Sequence, residues 1–442
     1  MSDRKRKKPD SDASPARVSS PGKLPKLEEK YLGELGPSRY TLPLTVSPTE
    51  RPPAFGRPQQ LTCFSYDPKR QIHFDTSALK FYVPAPINAD LGYRYENWIK
   101  RPEERGRIDS LLHAVEQECV VGERKKGAFV TWRGVVTKLM IAPIETRDSV
   151  ELNIMLLDGC VYAEEHSDDA KLAEKETMAP RHRRTTYYGY SFESFSTWVE
   201  PLVGKEQRAE RDRARCWSGD VDTNVQFCSV VKTKIDTERI ILGGEVDCCR
   251  DRYTGQPDTY VELKTSIAIR NPQDEQRFER KLLKFWAQSF LLGVPEIVVG
   301  FRTHQGQIST IQSFQTMGLP RMVRGKPGAW DPNTCLVFIG KLLRFIRMTL
   351  EADDRKSRED TAGVVPEERS AENEKAVDWV ETRPAVWRLS IPPNARNVTL
   401  RKLDQEEVEV VRNGEDRIGF LPTWFYNSVM SVHSERSPIP NQ

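Results

Sequence analysis

Between Gly243 and Ser266 the chain reads GGEVDCCRDRYTGQPDTYVELKTS, two short alternating segments around a turn-forming connection, and this stretch constrains the fold more than any other. On an extended strand, side chains two apart share a face. Glu245 and Asp247 therefore point one way and Val246 the other, while Glu262 and Lys264 pair likewise across Leu263. Thr254, Gly255, Gln256 and Pro257 fall in the connection. If it closes a hairpin, all four polar side chains meet on one surface. Three carboxylates on a half-buried surface repel one another and take up protons unless a cation neutralises them. The candidate ligands are all oxygens, which favours a hard ion, Mg²⁺ or Mn²⁺, over zinc. Lys264 cannot ligate the ion, but it can steady developing charge on a phosphate or orient an attacking water. The same letters also spell an amphipathic hairpin with a solvated acidic face and a cross-strand Glu/Lys pair.

An Asp followed after a turn by Glu-x-Lys resembles the core of the PD-(D/E)XK nucleases, and the remaining sequence has to discriminate between the two readings. The 442 residues can hold one large or two ordinary domains, and 38% hydrophobic content suffices for a core once flexible ends are set aside. The net charge of +3 is uneven: residues 1–60 hold 12 basic and 7 acidic side chains, leaving the remainder at −2. Nucleic-acid contact is then expected in a local channel and not over a general basic coat. The eight cysteines (63, 119, 160, 216, 228, 248, 249 and 335) form no CxxC pair and no zinc-ligand cluster, which suits a reducing compartment. No apolar run reaches membrane-spanning length, and the N-terminus is charged from Asp3 onward, unlike a secretory signal.

Residues 1–60 read as a disordered basic tail: 10 of the 30 prolines fall there, and Arg4, Lys5, Arg6, Lys7 and Lys8 form a run expected to serve as a nuclear-import signal. A domain is expected from Leu61 to about residue 430, followed by a flexible C-terminus over 431–442. Ile108 to Cys119 has helical spacing. Phe129 to Ile141 reads as a strand bending at Gly134, and Glu151 to Tyr162 as a strand entering the Asp158-Gly159 turn. Residues 164–184 are charged and fit a loop or short helix. In Tyr187 to Trp198, Glu193 stands among aromatic residues, either capped by backbone donors or recruited to a site.

Gln226–Ile235 and Arg239–Cys249 read as consecutive strands. A helix is expected from Asp274 to Leu292, stopped by Gly293, with Phe278, Leu282 and Phe285 on its apolar face and Arg277, Lys281, Lys284 and Gln288 on another. That basic stripe is either a solvated face or a track for phosphates. Glu296–Arg302 and Ile308–Phe314 read as a strand pair, Asn333–Leu350 as a helix, and 351–375 as a mobile charged loop. Strands return at Val386–Ile391 and over Val408–Leu421 around Asn413-Gly414, and a last helix holds Trp424-Phe425-Tyr426. Grouped strands with helices between the groups predict an α+β fold. Its expected form is a single large domain with mixed, largely antiparallel sheets flanked by helices and a PD-(D/E)XK-like core.

Five ordered motifs make the resemblance specific: Trp132-Arg133-Gly134, Gly189-Tyr190-Ser191-Phe192-Glu193, Glu245-Val246-Asp247, Glu262-Leu263-Lys264, and the helical segment Lys284 to Gln288. In this order they resemble the DXO-type decapping nucleases, a family that includes the fungal nuclear partner of the Rat-type 5′-to-3′ exoribonuclease. The resemblance implies a two-metal site at Glu193, Glu245, Asp247 and Glu262, with the Leu263 carbonyl as a further ligand. It implies catalytic roles for Glu193, Asp247, Glu262, Lys264 and Gln288, phosphate or substrate contacts from Lys264, Lys284 and Gln288, and an Arg133 contact to RNA. It also implies hydrolysis at RNA 5′ ends: pyrophosphate from a 5′ triphosphate, an incompletely methylated cap as a dinucleotide, or an NAD cap removed whole, each leaving a 5′ monophosphate. A nuclear location and a heterodimer with an exoribonuclease are further implications. Two other readings stay open at this point: a chiefly non-catalytic subunit that stabilises the exoribonuclease, and a PD-(D/E)XK nuclease of duplex DNA.

Overall fold

The structure, a computed structural model, describes residues 33–34, 38–118, 127–202, 204–213, 215–362 and 384–434. Two sheets carry the architecture. In the large one, eleven strands run in the order 33–34, Arg39–Pro43, Asn397–Lys402, Val386–Ile391, Val150–Leu157, Cys160–Glu165, Ala128–Trp132, Glu238–Glu245, Gln226–Ile235, Gln59–Tyr66 and Ile72–His73. Only the pairs either side of Ala128–Trp132 are parallel. The smaller sheet has six strands: Ile308–Gln315, Glu296–Arg302, Tyr260–Ile267, Cys248–Cys249, Phe81–Tyr82 and Thr197–Trp198. The expected α+β fold with mixed, largely antiparallel sheets is what forms.

Between the two sheets lies a helical layer built from Arg133–Ile141, Pro272–Leu292 and Pro332–Ala362. Its central core joins Leu139, Leu282, Trp286 and Leu342 to Leu152 and Leu242 of the large sheet and to Ile297 and Val299 of the smaller. Helices Asp109–Glu118 and Thr423–Ser434 cover the other face of the large sheet, where Leu111, Leu112 and Phe425 pack on Val130 and Tyr162. Helix Pro180–Ser196 covers the smaller sheet through Tyr187, Phe192 and Phe195 on Val261, Leu263 and Val298. The helix expected from Asp274 starts two residues earlier, at Pro272, where the Asn271 side chain accepts from the Asp274 N–H at 2.9 Å, and Gly293 closes it as expected, at φ 82°.

Several expectations are corrected. Phe129–Ile141 is not one bent strand; the strand ends at Trp132 and Arg133 opens a helix with Val135, Val136, Leu139, Met140 and Ile141 all buried. With six of its nine residues buried, the helix leaves little amphipathic period to read, so its β-branched residues imitate a strand. Val408 does not lie on a strand but in helix Gln405–Arg412, held by a capping box in which Asp404 accepts from the Glu407 N–H and Glu407 from the Asp404 N–H. Asn413 at φ 57° ends that helix, and the hairpin after it is confined to Arg417–Ile418 and Leu421–Pro422. Residues 39–43, read with the tail, are a strand paired to Asn397–Arg401, and Phe55 bridges Ile235. The charged segment from Glu351 continues the preceding helix to Ala362, tied down by the Lys402–Asp353 ion pair at 2.9 Å. The final helix runs to Ser434, four residues into the expected flexible end. The basic run 4–8, Cys119, 363–375 and 435–442 lie outside the described residues.

Candidate active site

The acidic motif stands on a seam. Glu245 is the last residue of its strand in the large sheet, opposite Cys228, and three residues later Cys248 has joined the smaller sheet opposite Val261. Buried Val246, whose N–H donates to the Phe227 carbonyl at 3.0 Å, anchors the crossing. The expected hairpin is thus only two residues deep, Cys248 and Cys249 against Val261 and Tyr260, and Glu245 remains on the neighbouring sheet. Cys248 and Cys249 pack into opposite cores, as their adjacency on a strand predicts.

Gly243 and Gly244 let the arginine motif lie against this strand. A Cβ at Gly243 would come within 2.6 Å of the Trp132 ring, and one at Gly244 within 3.2 Å of the Arg133 Cβ. Gly243 also pairs with Trp132 in the parallel ladder, so Arg133 enters its helix beside Glu245. The Trp132 indole N–H donates to the Arg107 carbonyl at 2.9 Å and fixes the junction. On the middle strand of the smaller sheet, Val261 and Leu263 face helix Pro180–Ser196 and Tyr260 faces the central core. By alternation Glu262 and Lys264 open toward the layer between the sheets. Glu193 arrives from helix Pro180–Ser196, whose preceding residue Phe192 seats directly on Gly300.

Electrostatics link these groups. Glu262 is 2% exposed; it accepts from the Lys264 ammonium at 2.5 Å, and the Arg133 Nη1 lies 3.4 Å from its second oxygen. Burial drives its pKa up, but Lys264 and Arg133 outweigh burial and hold it below the usual carboxylate range. The other three carboxyls lack such a partner. Asp247 is pushed up to about 7 by burial and by the Glu262 charge, although its Oδ2 accepts from the Leu263 N–H at 2.6 Å. Burial raises Glu193, with Asp247 and Glu245 adding to it, and burial raises Glu245 as well, with Glu262 adding to it. Lys264 is held above its ordinary pKa by Glu262 and Asp247 against the opposing effect of burial.

A raised carboxyl alone does not define the site. Glu164 is also pushed up to about 7 by burial, yet it is satisfied by Arg107 at 2.7 Å and Asn153 at 3.0 Å. The site differs in that its carboxyls destabilise one another, the condition a cation relieves. No group of three or more His, Cys, Asp or Glu side chains among the described residues stands at closed ligand spacing. Lys264 and Arg133 both hold Glu262, and the Leu263 N–H holds Asp247. The donor set of four carboxylates with no imidazole or thiolate fits a hard divalent ion. Arg133 Nε is buried and has no hydrogen-bond partner, which suits an anion beside the acids.

The structure therefore brings together Glu193, Glu245, Asp247, Glu262, Lys264 and Arg133, with the Leu263 backbone bound to Asp247. Lys284 is exposed and Gln288 half-buried one turn later, on the stripe begun by Arg277 and Lys281. Lys284 acts electrostatically on Glu145. Four neighbours escaped the sequence reading. Gln226 hydrogen-bonds Glu245 and accepts from Arg70 at 2.7 Å and Arg101 at 3.2 Å; Lys80 acts electrostatically on Glu193. They come from separate loops and strand ends, and no spacing in the chain announces them.

Residues 56–426 match the family model described as RAI1 like PD-(D/E)XK nuclease. The chain is 34% identical to the decapping nuclease RAI1 of Mycosarcoma maydis, with 91% of this chain and 93% of that one covered. Among solved structures, Rai1 of S. pombe in complex with 3′-FADP matches at a TM-score of 0.64 and 27% identity, covering 83% of this chain and 100% of that one. Rai1 of Scheffersomyces stipitis in complex with (3′-NADP)+ and calcium ion matches at 0.69 and 25%, covering 90% and 100%. A seam of mutually repelling carboxylates with a lysine on the adjoining strand, carried on a match that spans most of the chain, leads to one conclusion: the chain belongs to the RAI1-like PD-(D/E)XK nuclease family.

Proposed function

We propose that the protein is a metal-dependent hydrolase of RNA 5′ ends. The observation that carries this reading is that Glu193, Glu245 and Asp247 are each forced toward protonation by burial and by neighbouring carboxylates, with Lys264 and Arg133 at the same cleft. Glu193, Glu245, Asp247, Glu262 and the Leu263 carbonyl would hold Mg²⁺ or Mn²⁺, two ions in the family arrangement. A bound divalent ion neutralises these acids and supplies a nucleophilic water at neutral pH. The chain's own part is positioning. Lys264 has three donors and uses one on Glu262, so its ammonium can also meet a phosphoryl oxygen. Arg133 presents a planar fork toward the same space, Gln288 offers a neutral amide, and Lys284 adds charge on the approach.

The substrates proposed are RNAs with a 5′ triphosphate losing pyrophosphate, an incompletely methylated cap leaving as a dinucleotide, and an NAD cap leaving whole. The 5′-monophosphate product would pass to a nuclear 5′-to-3′ exoribonuclease bound as a heterodimer, consistent with the basic run Arg4 to Lys8 acting as an import signal. The name of the M. maydis relative, and the nucleotide ligands in the S. pombe and S. stipitis structures, support this choice. No helix among the described residues is long and apolar enough to cross a membrane.

The test uses short RNAs bearing a triphosphate, an unmethylated cap, a methylated cap or an NAD cap, each in Mg²⁺ and in Mn²⁺, beside Glu262→Gln. Release of pyrophosphate, cap dinucleotide or intact NAD by the wild type alone supports the reading and ranks the ends. Absence of release from every substrate defeats it. Copurification with the exoribonuclease tests the heterodimer separately.

A further inference from the structure

Gln226 opens the strand Gln226–Ile235 at the point where the acidic motif leaves the large sheet. Cys228 faces Glu245 across the ladder, so Gln226, two residues before it, shares that face and would stand opposite Asp247 if the partner strand did not end at Glu245. The diagonal from Gln226 to Glu245 is about 7 Å between Cβ atoms, within reach of a glutamine side chain. Its amide is held from behind. The Oε1 atom accepts from Arg70 Nη1 at 2.7 Å and from Arg101 Nη1 at 3.2 Å, which leaves the amide nitrogen as the donor to Glu245.

Both arginines are themselves anchored. Arg70 Nη1 also donates to the Asn224 carbonyl at 3.0 Å, and its guanidinium lies over the Tyr66 ring at 3.5 Å. Tyr66 is fixed in turn by its hydroxyl, which donates to Ser110 Oγ. The Arg101 N–H donates to Thr223 Oγ1 at 2.8 Å, tying its backbone to the segment that leads into Gln226. Burial and then the Arg101 charge depress Arg70, while Tyr66, Cys228 and Glu104 act the other way. Two guanidiniums gathered on one oxygen would bond a carboxylate more strongly than a neutral amide. A carboxylate at position 226, however, would add another acid to the seam and could not donate to Glu245. The glutamine meets both demands, accepting from the cations on one side and donating to the acid on the other.

We propose that Gln226 is a positioning residue for the metal site: held by Arg70 and Arg101, it donates to Glu245 and fixes the direction in which that carboxylate presents its oxygens to the divalent ion. The inference rests on the reading of Glu245 as a metal ligand in the proposed function. A hydrogen-bond partner one step behind a ligand raises metal affinity by orienting that ligand before the ion arrives. Arg70 and Arg101 belong to the same device, because they decide which end of the amide faces the acid.

The experiment titrates the full chain with Mn²⁺ alone by calorimetry, comparing wild type, Gln226→Met, Arg101→Met and the double variant. Methionine keeps the length of glutamine and cannot donate. Gln226→Met should weaken Mn²⁺ binding by about 10–100-fold, the usual effect of losing such a partner. Arg101→Met should weaken it by about threefold, because one of the two hydrogen bonds that hold the amide is gone. The direction of that second change is diagnostic. By charge alone, removing a cation beside the site would tighten Mn²⁺ binding. The double variant should bind no more weakly than Gln226→Met, since the arginine acts through the glutamine. Unchanged affinity in Gln226→Met, or unchanged or tighter affinity in Arg101→Met, overturns the proposal. Lower urea stability with unchanged affinity would likewise reduce Gln226 to an anchor for the two arginines. If Gln226→Met does not fold, Arg101→Met, in which Arg70 still holds the amide, decides. A wild type that binds Mn²⁺ but hydrolyses no RNA end defeats the functional reading and leaves this comparison intact; a wild type that binds no Mn²⁺ defeats both.

Discussion

Asp247→Asn should make the metal-free protein more stable while removing its activity. The Asp247 carboxyl, ordinarily at 3.8, is pushed up to about 7 in the fold by burial and by Glu262. Between those values the folded state holds a proton that the unfolded chain has lost, so stability falls as pH rises from about 4 to about 7. A shift of about three units corresponds to a ceiling of about 4 kcal/mol at 1.36 kcal/mol per unit. Water and relaxation in the cleft screen the charges, and we expect about half of that, ~2 kcal/mol. An asparagine keeps an oxygen to accept the Leu263 N–H and carries no charge. In EDTA at about pH 8 the variant should therefore gain about 2 kcal/mol in urea unfolding, or roughly 4 °C in Tm. Near pH 4 the gain should vanish, because wild-type Asp247 is then protonated in the fold. Saturating Mn²⁺ should stabilise the wild type by about 3 kcal/mol at a hundredfold excess over Kd, and the variant by less. A variant less stable than wild type at pH 8 without metal would refute the reasoning and make Asp247 a structural acid.

Glu262→Gln should retain less than about a tenth of the wild-type rate, checked by single-turnover hydrolysis of triphosphate RNA. Lys264→Gln should lower the rate more than the metal affinity measured by calorimetry; equal losses would assign the lysine to structure. Gly300→Ala should cost about 1–3 kcal/mol and slow turnover, because its Cβ would lie 2.5 Å from the Phe192 ring and would displace the helix that carries Glu193. In contrast, nothing lies within 4 Å of a Cβ at Gly189, and alanine there should raise stability by about 0.5–1 kcal/mol in thermal melts. Asp109→Asn should cost about 3 kcal/mol by removing one of the two carboxylates on buried Arg417, checked by urea unfolding.

Elements whose boundaries are written in local chemistry were legible before the structure. Gly293 ends its helix where expected because a left-handed turn is a property of that residue, while the equally local cap at Asn271 and Pro272 moves the start two residues ahead of the expected Asp274. Asp158 and Gly159, at φ 49° and 70°, turn the hairpin predicted from their dipeptide. The misread elements failed where surroundings overrode local pattern. Helix Arg133–Ile141 buries six of its nine residues because it packs on the large sheet and against helices Pro272–Leu292 and Pro332–Ala362, and strand Arg39–Pro43 exists because Asn397–Arg401, some 350 positions away in the chain, supplies its ladder. The capping box at Asp404 and Glu407 was visible in the sequence and outweighs the alternation that suggested a strand.

For the site, the sequence by itself determined that Glu262 and Lys264 share a strand face and that Glu245 and Asp247 stand close by in the chain. The two-residue period puts Glu262 with Lys264 on one face of their strand; the same period suggested Glu245 with Asp247, but the strand ends at Glu245. The tertiary structure decided that the acidic motif crosses from one sheet to the other, so that Glu193 and Arg133 close around it from helices that share no spacing with it. It also decided which carboxyl is ionised: Glu262 because Lys264 and Arg133 reach it, and the others driven toward protonation by burial and one another. Period is a property of the backbone and is fixed locally. Desolvation and charge-charge energy depend on distances between elements remote in the chain, and only packing sets those.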